Sequence, residues 1–94
     1  MRRAAKIDDN QRKIVNALRK VPNLTVAITS QSGNGFPDIV VGYKKYNYLI
    51  ELKDGAKSPS QQKLRDAQQP FKDNWTGQYD VCNSLEQVLD VIRL

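Results

Sequence analysis

Histidine is missing from this 94-residue chain, and cysteine occurs once, at Cys82. The sequence therefore excludes disulfides, zinc fingers, Ser-His-Asp and Cys-His catalysis, and any nuclease that uses a histidine general base. Any catalysis has to rely on carboxylates, lysine, hydroxyl groups and a metal ion. We expect Cys82 to be a small buried apolar residue in a strand, without a chemical role.

Glycine and proline are also scarce, with five and four residues. No apolar run approaches the roughly 18 residues that a membrane span needs, so we expect no membrane association. Hydrophobic residues make up 39% of the chain and charged residues 27%, which predicts one folded, soluble domain over residues 1–94. The basic first residues are followed by Ile7, Asp8 and Asp9 rather than an apolar segment, which predicts no secretory signal and a cytoplasmic, intracellular location.

Positive charge is concentrated at the beginning of the chain. The net charge is +5, and residues 1–20 hold seven Lys or Arg against two Asp. The last residues, 76–94, are mildly acidic. This distribution favours a polyanionic partner such as nucleic acid, although a surface that is merely soluble can have the same composition.

Hydrophobic periodicity and turn residues predict the order α-β-β-β-α-β-α. The expected elements are a helix over about residues 9–20, strands over 24–28, 39–43 and 46–53, a helix from Ser58–Pro59 to about Asn74, a strand over 78–82, and a helix capped by Asn83 or Ser84. The second and third strands form a hairpin with a tight basic turn at Lys44–Lys45. This order predicts a small mixed β-sheet flanked by helices, with the hairpin at its centre.

Two carboxylates stand where local structure gives no reason for them. Asp38 follows Pro37 at the start of an apolar strand, and Glu51 interrupts another apolar run. Because strand side chains alternate between faces, Glu51 and Lys53 point the same way. The hairpin returns the chain to its start, so Asp38 and Glu51 should lie side by side, with Lys53 close to both.

Two neighbouring carboxylates repel each other unless a cation lies between them. Mg²⁺ suits such a site, because it binds through one or two carboxylates plus substrate phosphate, and Mn²⁺ should replace it. Lys53 can orient the attacking water or stabilise negative charge on the phosphoryl group. The cluster therefore predicts phosphodiester hydrolysis. The simpler alternative is that Glu51 and Lys53 form an exposed ion pair on an edge strand and that Asp38 is a turn residue.

The segments Gly35–Asp38 and Glu51–Lys53 resemble the PD…(D/E)xK nuclease signature. With the hairpin between them and Lys57–Gln61 after them, the chain is similar to the virus-type replication-repair nuclease (VRR-NUC) domain over nearly its whole length. The resemblance implies a restriction-endonuclease-like core. It also implies a metal-dependent, homodimeric endonuclease that acts on branched DNA such as Holliday junctions, often encoded by phages and used in DNA repair.

The resemblance also implies residue roles. It makes Asp38 and Glu51 metal ligands, Leu52 a ligand through its backbone carbonyl, and Lys53 the catalytic lysine. It places Gln61, or Gln62 if the register differs by one, at the site from the second helix. The family usually has a metal-site glutamate in the first helix, and the nearest residues here are Gln11 and Asp9. If Gln11 occupies that position, the site has two protein carboxylates rather than three, because glutamine supplies no charge, and this argues against a tightly held second metal ion.

Other polar and basic residues are candidates for contacts with DNA. These are Arg2, Arg3, Lys6, Ser32, Asn34, Lys44, Lys45 and Lys57. We expect Phe71 and Trp75 to serve in packing or at an interface, and Tyr43, Tyr46 and Tyr48 to pack in the sheet or at a dimer face. The alternative functions are an inactive or weakly active DNA-binding module on the same fold, a flap or duplex nuclease, and a restriction-type nuclease.

Overall fold

The computed structural model describes residues 9–54 and 67–93. The elements in these ranges follow the predicted order. They are α1 (Asp9–Leu18), β1 (Leu24–Ile28), β2 (Ile39–Tyr43), β3 (Tyr46–Leu52), α2 (Gln68–Asn74), β4 (Tyr79–Cys82) and α3 (Leu85–Ile92).

The strands form one mixed sheet in the order β1-β2-β3-β4. The β1–β2 and β2–β3 pairs are antiparallel, and Ile39 lies opposite both Ile28 and Ile50. The β3–β4 pair is parallel, an arrangement that needs a crossover connection, and α2 is the described helix between these two strands. The predicted hairpin is therefore confirmed as the centre of the sheet.

The main core lies between one face of this sheet and the helices α1 and α3. Alternate strand residues such as Ile39, Val41 and Ile50 are completely buried there. They pack against Leu18 of α1 and Val88 of α3, which recur at helical spacing in their own segments. Burial of each such side chain contributes about 1.5–3 kcal/mol, so this face carries most of the stability.

Cys82 lies in this core as expected, with 1% of its surface exposed. Burial, and secondarily the nearby Asp80 carboxylate, raises the pKa of the Cys82 thiol to about 11. The thiol therefore stays protonated at neutral pH and behaves as a small apolar group.

The boundaries of two helices differ from the prediction. α1 ends at Leu18, because the amides of Lys20 and Val21 turn back to residues three positions earlier and the chain tightens before Asn23. The predicted start of the second helix at Ser58–Pro59 lies outside the described residues, and α2 is described from Gln68. Pro70, which was expected to kink or shorten that helix, lies in the first turn of α2, where a backbone N–H has no intrahelical partner to lose.

The remaining helix boundary follows the sequence closely. Ser84 is the N-cap residue of α3, and its hydroxyl accepts a hydrogen bond from the Gln87 amide at 3.2 Å. In the described parts of the chain, no helix has the length and apolar character required to cross a membrane.

Candidate active site

Asp38 and Glu51 lie next to each other where β2 begins and β3 ends. Since Ile39 pairs with Ile50, the next positions outward along the hairpin are Asp38 and Glu51. Asp38 Oδ2 accepts a hydrogen bond from the Leu52 amide at 2.9 Å, and the Asp38 carbonyl accepts one from Thr29 at 2.8 Å. The hairpin thus brings the two carboxylates together, as the separation of these residues along the sequence predicts.

Glu51 is a buried carboxylate with one oxygen fully engaged. Its side chain is 2% exposed, and Oε2 lies 3.2 Å from Lys53 Nζ and accepts a 2.6 Å hydrogen bond from Gln68 Nε2. Lys53 Nζ also donates to Gln68 Oε1 at 3.0 Å. The three side chains form a closed triangle in which each one contacts the other two.

The second oxygen of Glu51 has a different environment. Oε1 is buried and forms no hydrogen bond with a residue of the described ranges. Burial, followed by the charge of Asp38, raises the pKa of Glu51 from 4.5 to about 7, although Lys53 acts in the opposite direction. Near neutral pH, the site therefore favours an added positive charge or a proton at this carboxylate.

Gln68 is the site residue that the sequence did not single out. The expected residues, Gln61 and Gln62, lie outside the described residues. Gln61 and Gln68 are seven positions apart, which is close to two helical turns, so helical periodicity cannot distinguish them. One signal in the sequence could have indicated Gln68. It precedes Phe71 by three positions, so the two side chains lie on the same face of a helix.

Gly35 explains how α2 comes so close to Asp38. Its φ of +80° is in the left-handed region, and a Cβ at this position would collide with the backbone carbonyl of Ala67. The loop before Asp38 thus packs directly against the residue that precedes Gln68. Glycine in the Gly35–Asp38 segment is therefore required by the approach of α2.

The first turn of α1 also reaches this end of the sheet. Asn10 Nδ2 donates to the Lys53 carbonyl at 2.9 Å, a contact that the sequence did not predict. Gln11 is buried, as a site residue would be, but its Nε2 donates to Ser30 Oγ at 3.5 Å and not to the carboxylates. Asp9, the alternative to Gln11, is exposed and pairs with Arg12 at 3.3 Å. The structure therefore places the Asp9 carboxylate on the helix surface.

An aromatic group covers the sheet face that carries Glu51. Phe71 of α2 contacts Phe36 at 5.4 Å, Tyr79 at 5.8 Å and Trp75 at 5.2 Å between ring centroids. Phe71 is half-buried and serves in packing, whereas Trp75 stacks on it with 42% of its own surface exposed. The Tyr79 hydroxyl is buried, and burial together with the charges of Glu51 and Asp38 raises its pKa to about 12.

The candidate DNA contacts fall into three groups. Ser32 and Asn34 are exposed in the loop that leads to Asp38. Lys44 and Lys45 are exposed at the hairpin tip, roughly 20 Å from Asp38 at the usual rise of a strand. Arg2, Arg3, Lys6 and Lys57 lie outside the described residues.

The hairpin tip carries a shallow polar depression of about 270 Å³. Lys44 and Lys45 line it together with Thr25, Asn47 and their neighbours. The Lys44 ammonium lies 5.4 Å from the centre of the Tyr43 ring. The tip therefore presents two cations beside hydrogen-bonding groups, at the end of the sheet opposite the carboxylates.

The oxygen atoms of this site suit a hard divalent cation that takes only a few of its ligands from the protein. Within residues 9–54 and 67–93 there is no group of three or more acidic, cysteine or histidine side chains that could hold a metal ion. Asp38 and Glu51 supply two carboxylates, and Mg²⁺ needs only one or two. Glu51 Oε1, buried and without a protein partner in these ranges, is the observation that favours a cation there. Leu52 is buried beside them, and the role of its carbonyl stays a prediction.

Comparisons of the chain with protein-family models, curated proteins and solved structures give no match.

Proposed function

We propose that this chain is a metal-dependent nuclease that hydrolyses phosphodiester bonds in DNA, built on a restriction-endonuclease-like core of the VRR-NUC type. The observation that carries the proposal is the cluster of buried Glu51 with half-buried Lys53 and Gln68, beside Asp38. A carboxylate whose pKa is raised by burial and then by a second carboxylate, with an ammonium at hydrogen-bonding distance, is typical of an active site rather than of a packing core.

Asp38 and Glu51 are the residues that would hold Mg²⁺. A bound Mg²⁺ supplies acidification of a coordinated water and neutralisation of phosphoryl charge. The protein contributes two fixed carboxylates, because Asp38 is held by the Leu52 amide and Glu51 by Gln68 and Lys53. This preorganisation means that little side-chain reorganisation is needed when a phosphate binds.

Lys53 is the proposed catalytic lysine. An ammonium group has three N–H donors, and the contacts with Glu51 Oε2 and Gln68 Oε1 use two of them. The third can donate to a non-bridging phosphate oxygen or to the attacking water. Gln68 suits this arrangement, since its amide oxygen accepts from Lys53 while its amide nitrogen donates to Glu51.

Branched DNA, including Holliday junctions, is the substrate we propose, and a homodimer is the form that cuts it. One site cuts one strand at a time, whereas resolution of a symmetric four-way junction needs two cuts related by a two-fold axis. Of the apolar residues considered for a dimer face, Tyr43 and Tyr48 are buried in the core, whereas Tyr46 and Trp75 are exposed. The latter two remain candidates for the interface.

A DNA-binding module without activity is the second candidate. The observation that favours it is the Lys53–Glu51 ion pair, which partly neutralises the carboxylate without a metal ion. A flap or duplex nuclease differs from a junction resolvase in its substrate and shares the same site.

A panel of labelled substrates separates these functions. The protein is incubated with a four-way junction, a flap and a linear duplex of matched sequence, each with Mg²⁺, with Mn²⁺, with Ca²⁺ and with chelator. We expect cleavage of the junction with Mg²⁺ or Mn²⁺, and binding without turnover with Ca²⁺. Binding of all substrates without cleavage in any metal would support the binding module, and cleavage in chelator would contradict the proposal.

A further inference from the structure

Two buried polar atoms beside the site form no hydrogen bond with any residue in the ranges 9–54 and 67–93: the Tyr79 hydroxyl and Glu51 Oε1. One of them is a hydrogen-bond donor and the other is an acceptor. Buried polar atoms in folded proteins nearly always have a partner, because leaving them without one is costly. The shared location of a donor and an acceptor therefore calls for one common explanation.

The sheet places both groups on the same face. In the parallel β3–β4 pair, Leu49 lies opposite Tyr79 and Glu51 lies opposite Val81. The side chains of Tyr79 and Glu51 thus share one face and are diagonal neighbours. The Tyr79 ring is held by Phe71 at 5.8 Å between ring centroids.

The contacts of Glu51 direct its free oxygen away from the lysine. Oε2 is held by Gln68 and Lys53, so Oε1 points to the other side of the carboxylate. Asp38 lies beside Glu51 across the hairpin, so the Tyr79 phenol and both carboxylates belong to the same face of the sheet. This face therefore carries one phenol donor and several acceptor oxygens close together in the strand register.

We propose that one buried water molecule joins these groups, accepting a hydrogen bond from Tyr79 Oη and donating one to Glu51 Oε1, and that Tyr79 thereby positions the Glu51 carboxylate. Tyr79 and Glu51 together give the water two protein partners, which is within the two to four that buried waters need. The catalytic consequence of this link rests on the proposed nuclease function, but the link itself does not.

Tyr79 is a positioning residue in this arrangement and does not touch the substrate. A carboxylate oxygen accepts more than one contact, so Oε1 can accept from the water and still face a cation. Loss of the water link leaves the carboxylate held on one side only, by Gln68 and Lys53. Removal of a partner that orients a metal-binding side chain typically costs 10–100-fold in metal affinity or activity.

The test combines a high-resolution crystal structure with kinetics of Tyr79→Phe. Tyr79→Phe removes the hydroxyl and keeps the ring on Phe71. Tyr48→Phe is the matched control, because Tyr48 is a buried tyrosine on the opposite face of the sheet, in the core with α1 and α3. Wild type and Tyr79→Phe are crystallised with chelator, and single-turnover cleavage of a four-way junction is measured with Mg²⁺ for all three proteins.

We expect density for a water within hydrogen-bonding distance of both Tyr79 Oη and Glu51 Oε1 in the wild type, and none in Tyr79→Phe. Cleavage at saturating DNA should be about tenfold slower in Tyr79→Phe, with the DNA concentration for half-maximal rate unchanged and Tyr48→Phe equal to wild type. Wild-type density that shows no water, or a Tyr79 hydroxyl bonded elsewhere, would overturn the link even if Tyr79→Phe fails to fold. Equal cleavage rates in folded Tyr79→Phe and wild type would overturn the positioning role.

The two proposals fail separately in this experiment. A wild type that shows the water but cleaves no DNA contradicts the nuclease function and leaves the Tyr79–water–Glu51 link in place. A wild type that cleaves the junction but shows no water at this point contradicts the link alone. Crystals soaked in Mn²⁺ give one further check, since an anomalous signal midway between the two oxygens would identify an ion instead of a water.

Discussion

A carboxylate that is 2% exposed, as Glu51 is, ionises at a cost that its partners must offset. Lys53 and Gln68 engage Oε2, but burial and the charge of Asp38 outweigh them and raise the pKa of Glu51 to about 7. A proton is therefore bound more tightly in the folded protein than in the unfolded chain. The stability of the metal-free protein should consequently depend on pH across the range from 4.5 to about 7.

The first prediction concerns that dependence. Between these two pKa values the folded state binds more protons than the unfolded chain, so the free energy of unfolding falls as pH rises. The contribution of Glu51 is at most about 3 kcal/mol. Chemical denaturation in chelator at pH 5 and pH 8 measures it, and Glu51→Gln should flatten the slope whereas the exposed Glu86→Gln should not. An identical slope in Glu51→Gln and wild type would contradict the raised pKa.

The second prediction concerns Gln68. Gln68→Leu removes the acceptor of Lys53 and the amide donor to Glu51, so cleavage of a junction should fall about 10–100-fold. Gln69→Leu is the matched control, because Gln69 is exposed and donates to Asp73 instead. Single-turnover rates with Mg²⁺ measure both variants. If Gln68→Leu cleaves as fast as Gln69→Leu, Gln68 has no part in the site.

Asp38, Glu51 and Lys53 could be predicted from the sequence because a hairpin and the period of a strand suffice to bring them together. Gln68 and Tyr79 could not be selected in the same way. Their positions depend on how α2 packs on the sheet and on how β4 pairs with β3. In addition, Gln61 shares the helical spacing of Gln68. The contact of Asn10 with the Lys53 carbonyl is likewise tertiary, with no local pattern to indicate it.

At the scale of elements, the hairpin turn carries a conformational cost. Lys44 and Lys45 have φ values of +51° and +70°, which are unfavourable for a residue with a side chain. A two-residue turn with two positive φ values usually contains Asn-Gly. The two lysines thus occupy positions where other residues would be more stable, which is expected if their charges serve in DNA binding.

The third prediction separates these effects. Lys44→Asn combined with Lys45→Gly should raise the free energy of unfolding by about 1 kcal/mol, because it relieves the turn. The same variant should bind DNA of every shape more weakly, and the dependence of log Kd on log salt should become less steep by about 0.9 for each lost phosphate contact on duplex DNA. Thermal unfolding and a salt titration measure the two quantities. Unchanged affinity and salt dependence would assign both lysines to solubility alone.

The strands were predictable because runs of apolar and β-branched residues are bounded on each side by turn residues. The observed bounds of β1 and β2 match the predicted ones. α2 was not predictable to the same degree. Its sequence has no marked apolar stripe, and none of its residues is fully buried. Its position depends instead on the close contact between Gly35 and the backbone of Ala67. In the sequence, such a close backbone contact is marked only by a single glycine and produces no hydrophobic periodicity that could be recognised.

At the scale of the whole molecule, the element order and the mixed sheet follow from the sequence, whereas the exposed surface does not. Trp75 and Val81 are both exposed, at 42% and 39%. Both lie on or next to the last part of the sheet, since Val81 is in β4 and the Trp75 indole donates to the Gln78 carbonyl at 3.1 Å. Their exposure depends on tertiary packing, which hydrophobicity along the chain does not reveal.

The fourth prediction concerns assembly. Under the proposed junction-cleaving function, the protein should sediment at micromolar concentration with about twice the chain mass of 10.7 kDa. Heterodimers of wild type and Lys53→Ala should nick a junction once without resolving it. Trp75→Ala and Tyr46→Ala test the two exposed rings separately, and the ring that lies at the interface is the one whose loss weakens the dimer. A strict monomer that still makes paired cuts would contradict the dimer.

The most direct test of the proposed site measures cleavage and binding of one four-way junction by the wild type, Lys53→Ala and Glu51→Ala in the same buffer. The account predicts cleavage by the wild type with Mg²⁺ and none with chelator. Both variants should bind the junction with nearly wild-type affinity and cleave it at least about 100-fold more slowly, because these side chains act on the phosphate and not on DNA affinity. Wild-type cleavage rates in either folded variant, or full activity in chelator, would contradict the assignment.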